Sequence, residues 1–129
     1  MNTIMIDGQD KKHLMAGDID GAIDAIEKLI DEAKKLLTLY KKEFTGAAGA
    51  YDAQLCPWGG IEMARNKWCK EVNQTLLQIC GGNHSLVQMK FADAKGNGSI
   101  SKYVDIWSEI ENKQKVLETF KSELQGIKK

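Results

Sequence analysis

Apolar residues recur along the first third of the chain in an unbroken heptad stripe. Ile19, Ile23, Ile26, Ile30, Ala33, Leu37, Tyr40 and Phe44 are spaced 4-3-4-3-4-3-4. That period sets all of them on one side of a helix. Leu29 and Leu36 widen the stripe, while Asp24, Lys28, Asp31, Lys35 and Lys42 cover the rest of the cylinder. Asp31 and Lys35 stand one helical turn apart and add a little local support. The spacing predicts a helix from about Asp18 to Phe44. At about 1.5 Å per residue it is roughly 40 Å long, a length suited to a rod-like bundle.

A second stripe follows Gly60, through Met63, Ala64, Trp68, Val72, Leu76 and Ile79, with Arg65, Lys67, Lys70 and Glu71 outside it. The pair Gly81-Gly82 predicts a stop or kink, because each glycine inside a helix costs about 1 kcal/mol relative to alanine. The pattern resumes through Leu86, Val87, Met89 and Phe91, so 83–94 reads as a kinked continuation or a short separate helix. Lys95-Gly96-Asn97-Gly98 is the next breaker. Beyond it a third long helix runs from about Ser101 to Gln125, with Ser99 or Ser101 as N-cap. Its stripe is Tyr103, Trp107, Ile110, Leu117, Phe120, Leu124 and Ile127, interrupted by polar Gln114.

No useful run alternates with period two, so the fold class is all-α. The expected architecture is an elongated antiparallel helical hairpin extended to a three- or four-helix bundle. A chain of 129 residues suits a single domain. Its parts are a flexible N-terminus over 1–14, the hairpin over 15–94 and the third long helix over 101–127. Trp58, a large amphipathic ring, stands where the first two elements fold back. The segment Pro57-Trp58-Gly59-Gly60 contains the chain's one proline and two glycines that open backbone angles closed to other residues. It is therefore the expected hairpin turn. Ile23, Ile30, Leu37, Trp68 and Trp107 are the expected packing seam.

Eighteen basic and eighteen acidic residues cancel and are interspersed, which leaves no electrostatic footprint for nucleic acid. No apolar run approaches the roughly 20 residues of a membrane span, and the first residues do not read as a secretory signal. Three cysteines, Cys56, Cys69 and Cys80, are an odd number without CxxC spacing, so a reduced, cytoplasmic setting is expected.

Candidate chemistry is sparse. The stretch Asp93-Ala94-Lys95-Gly96-Asn97-Gly98-Ser99-Ile100-Ser101-Lys102-Tyr103-Val104 resembles an EF-hand calcium loop, with oxygen ligands implied at Asp93 and Asn97. Lys95 puts a cation at the third ligand position, and Val104 at the closing glutamate position removes two ligand oxygens. A related run, Ala16 to Glu27, lacks the first acid. Asp93 and Asn97 are thus weak metal candidates, and no metal or other cofactor is expected. His13 and His84 stand alone, and Cys69 beside Trp68 reads as a small buried hydrophobe. No catalytic residue is assigned, and the expectation is a protein that is not an enzyme.

Helix, Trp-x-Gly turn, helix over roughly residues 15 to 94 resembles the WXG family of small helical-hairpin proteins of type VII secretion. Trp58-Gly59-Gly60 and the preceding heptad helix carry the likeness, together with Asn66-Lys67-Trp68. The resemblance implies a bacterial hairpin that pairs as a homo- or heterodimer and is exported without a cleavable signal peptide. The chain departs from that pattern in its extra C-terminal helix and in the insert 45–56. Trp107, where the export signal would need an acid four residues after Tyr103, is a third departure.

The function expected is a non-enzymatic helical interaction protein, working by self-association or on a protein partner. Three versions follow. It is a type VII secretion substrate or carrier, with Trp58 and Gly60 at the turn. It is a cytoplasmic adaptor, inhibitor or immunity-type protein, with Trp107, Tyr103 or Tyr51 as anchors. Or it is a degenerate EF-hand-like calcium binder through Asp93 and Asn97.

Overall fold

The structure is a computed structural model that describes residues 18–46, 58–81, 85–98 and 102–128. Among them there are four helices and no strand: α1 (Ile19–Gly46), α2 (Trp58–Cys80), α3 (Leu86–Asp93) and α4 (Lys102–Lys128). The protein is all-α, and its helices pack as a bundle.

Three of the helix ends have a local cause. Asp18 caps α1: its Oδ1 accepts the Gly21 N–H at 2.9 Å, meeting one of the four amides that a helix start leaves unpaired. Helix α2 stops where Gly81 takes φ 71° and its N–H returns to the Leu77 carbonyl at 2.9 Å. That left-handed closure is cheap for glycine alone. Helix α3 begins with a capping box, in which Ser85 Oγ accepts the Gln88 N–H and Gln88 Oε1 accepts the Ser85 N–H.

Helix α1 packs most extensively on α4 and next on α2. Glu27 meets Lys121, while Lys34 and Leu37 lie beside Gln114 and Glu118, so α1 and α4 are antiparallel. Leu29 meets Trp68 and Leu36 lies near Ala64, so α1 and α2 are antiparallel too. Helices α2 and α4 are therefore parallel, joined by Arg65 to Glu109 at 2.9 Å. The fourth position of the bundle is filled by segment 85–98. It runs back beside α2 and α4, helical as α3 and then non-helical through 94–98.

The core joins Ile23, Ile26, Ile30, Ala33 and Leu37 of α1 to Trp68, Val72 and Leu76 of α2. Val87 and Phe91 enter from α3, and Ile106, Ile110, Leu117, Phe120 and Leu124 from α4. Three sequence expectations change here. Trp58, Gly59 and Gly60, read as the turn, are the first residues of α2. Glycine's penalty of about 1 kcal/mol relative to alanine applies to a helix interior, and Gly59 and Gly60 stand in the first turn. Met63 and Met89, read into the apolar stripes, are 72% and 55% exposed. Met89 lies two residues from Val87 and two from Phe91, and a 100° step per residue turns it away from the core. Among the described side chains of α4 the buried heptad positions read 106, 110, 113, 117, 120, 124, so the polar interruption is Lys113 and not Gln114. Pro57, Tyr51, Ser99, Ser101, His13, His84 and Cys56 lie outside the described residues, as do the side chains of Trp58 and Tyr103.

Two glycines test this packing in opposite directions. A Cβ on Gly96 would fall on the Asp105 backbone carbonyl and carboxylate, whereas one on Gly126, inside α4, meets nothing. Gly96→Ala should lower the melting temperature in a thermal scan by several degrees. Gly126→Ala should raise it, with up to about 1 kcal/mol from helix propensity.

Candidate functional site

The most developed polar constellation surrounds Lys113, at a heptad slot of α4 that a hydrophobic residue would normally occupy. The residue is only 5% exposed. Its Nζ donates to the Phe91 carbonyl at 2.6 Å and lies 4.7 Å from the centre of the Phe91 ring, within cation–π range. Glu109, one turn earlier on α4, brings a carboxylate to 3.8 Å and also accepts from Arg65 of α2 at 2.9 Å. Burial pulls the Lys113 ammonium below the usual lysine range, opposed by Cys69 and Glu109. The same burial pushes the Cys69 thiol up, and Lys113 pulls against it.

The physical reason for this lysine is the end of α3. The last carbonyls of a helix have no partner within it, and the macrodipole leaves negative potential there. Helix α3 has eight residues and is too short to be stable by itself. Lys113 supplies a donor and a positive charge to its C-terminal turn from another element.

The chain beyond α3 is treated in the same way. The Lys95 carbonyl accepts from Asn112 Nδ2 at 2.7 Å, and the Asn97 N–H donates to Ser108 Oγ at 2.9 Å. The Gly98 N–H donates to Asp105 Oδ1 at 3.0 Å. Asp105, Ser108, Asn112 and Lys113 stand at helical spacing on one face of α4. A non-helical backbone cannot satisfy itself, so this face supplies the hydrogen bonds.

Trp68 closes the site from α2. It is 2% exposed, its indole N–H donates to the Leu29 carbonyl at 2.9 Å, and its ring stands 5.6 Å from that of Phe91, tilted by 59°. One side chain thereby ties α1, α2 and α3 together.

The expected seam residues Ile23, Ile30, Leu37 and Trp68 all lie in this one core, and Trp107 packs partly buried against it. Asp93 is the exposed last residue of α3, and the backbone of Asn97 is held by Ser108. No group of three or more His, Cys, Asp or Glu residues placed to hold a metal ion occurs among the described residues. Sequence reasoning missed Lys113, Asn112, Ser108 and Asp105. A strict 4-3-4-3-4 count from Ile106 would have exposed Lys113 as a core position. The other three had no signal, since their partners are backbone atoms.

Lys113→Met keeps the aliphatic stem and removes the donor, leaving the buried Phe91 carbonyl without it. We expect a loss of about 1–3 kcal/mol in chemical denaturation, with amide exchange accelerated first in 86–93. Trp68→Ala should cost more, about 3–5 kcal/mol.

No protein family, curated protein or solved structure matches this chain.

Proposed function

We propose that the protein is a non-enzymatic helical interaction protein, acting through its surface. The observation that carries this reading is the placement of exposed apolar side chains. Among the described residues the exposed large hydrophobics are Met63, Leu77 and Met89, all on α2 and α3. Leu77 borders an open groove of about 540 Å³ whose other walls include Asn66, Lys70, Asn73 and Gln88. A mixed surface of flexible thioethers and amides adapts to a partner helix at modest cost. The charged cluster around Lys113 supports the same reading, because its groups are spent on each other and on backbone carbonyls.

Within this class the first version is a type VII secretion substrate, or the carrier of a secreted protein. It is supported by Trp58-Gly59-Gly60 at the start of α2 and by the antiparallel pairing of α1 with α2. The second is a cytoplasmic adaptor, inhibitor or immunity-type protein. It is supported by the larger α1–α4 interface, which covers the inner face of the hairpin within one chain.

Light scattering across a concentration series tests the first version. We expect the mass to rise toward a dimer, and Met63→Ser combined with Leu77→Ser and Met89→Ser to return it to the monomer with unchanged helical circular dichroism. A monomer at every concentration removes self-pairing and leaves the partner-binding version.

A further inference from the structure

Segment 85–98 is held to the bundle differently from the three long helices. Helix α3 packs on α4 and less extensively on α2, and the larger contacts of α1 with α4 and with α2 do not involve it. Of the side chains on α3, Val87 and Phe91 are the buried ones, against Ile23, Ile26, Leu29, Ile30, Ala33 and Leu37 on α1. The polar attachment runs to α4. Lys113 holds the Phe91 carbonyl, Asn112 the Lys95 carbonyl, Ser108 the Asn97 N–H and Asp105 the Gly98 N–H. The bonds of Asn112 and Asp105 are exposed, so water replaces them when they break. A glycine at positive φ stands toward either end, Gly81 at 71° and Gly98 at 75°, where the backbone turns at little cost.

We propose that 85–98 is a strap that opens as one unit from a three-helix core of α1, α2 and α4, hinged toward Gly81 and Gly98. Helix α3 is too short to persist once detached, so its turns and the 94–98 chain come away together. The packing of α1 on α4 and on α2 survives the opening. Lys113 keeps Glu109 beside it at 3.8 Å and regains water, so its charge does not oppose the motion. Trp68 keeps its bond to the Leu29 carbonyl and loses Phe91 from its ring. Gln88 rides on the strap, whereas Asn73 and Leu77 belong to α2, so the groove they line is complete only while the strap is closed. That last consequence rests on the surface reading above, and the opening itself does not.

Native-state amide exchange on the intact chain, followed through low concentrations of denaturant, tests the opening. The N–H groups of Met89, Ala94, Asn97 and Gly98 should share one opening. Its denaturant dependence should be weaker than that of the Ile30 and Phe120 amides, which exchange through global unfolding. Ile23→Val trims the α1 core away from the strap. It should speed the Ile30 and Phe120 amides and leave the four strap amides unchanged. Asn112→Ala removes the bond at Lys95 alone, yet it should speed all four strap amides by one factor, about three- to tenfold. Strap amides that follow the global denaturant dependence overturn the proposal. So does an Asn112→Ala effect that, within the strap, is confined to Asn97 and Gly98.

Discussion

The bond from Lys113 to the Phe91 carbonyl is the interaction on which the arrangement of this bundle depends. A cation in a core slot is unfavourable unless it is paired and hydrogen-bonded. Here the ammonium has the carbonyl at 2.6 Å, the Phe91 ring and the Glu109 carboxylate. In return it fixes the C-terminus of a helix too short to persist without tertiary support. The contact serves two purposes, satisfying a buried charge and defining where α3 ends. Arg65 extends it to α2 through Glu109, so three elements converge on one carboxylate and one lysine.

The consequence is a bundle whose fourth position is half helix and half non-helical chain. A fourth full helix would satisfy its own backbone and present only side chains to its neighbours. The 94–98 segment presents bare amides and carbonyls, and α4 answers with Asp105, Ser108 and Asn112. Gly96 permits the close approach, since any side chain there would run into the Asp105 backbone. Helix α4 is apolar toward α1 and polar toward this segment, a division that follows from what each face must bond.

The same arrangement bears on how the molecule meets others. The heptad face of α1 is shared between α2 and α4 inside one chain, and Ile23, Ile30 and Leu37 are buried there. Among the described residues the large apolar side chains left exposed stand on α2 and α3. Our proposal of a helical interaction protein rests on that side of the bundle, and the Trp-x-Gly resemblance is one version of it.

By itself the sequence determined the fold class, the three long helices and most of the core, while it left 83–94 open between a kinked continuation and the short separate helix that is found. Periodicity is a local property, and Ile19 to Leu37 or Leu117 to Leu124 have one face to bury whatever partner they find. It also marked the stops at Gly81 and before Lys95, because glycine's conformational freedom is intrinsic. Only the tertiary structure decided that Trp58-Gly59-Gly60 opens a helix instead of preceding one, since helix starts spare glycine its usual cost. Only the tertiary structure decided that α1 pairs chiefly with α4, because an apolar stripe does not specify its partner. The role of Lys113 was equally hidden. A lysine reads as surface in any pattern of side chains, and what holds this one inside is a backbone carbonyl 22 residues away.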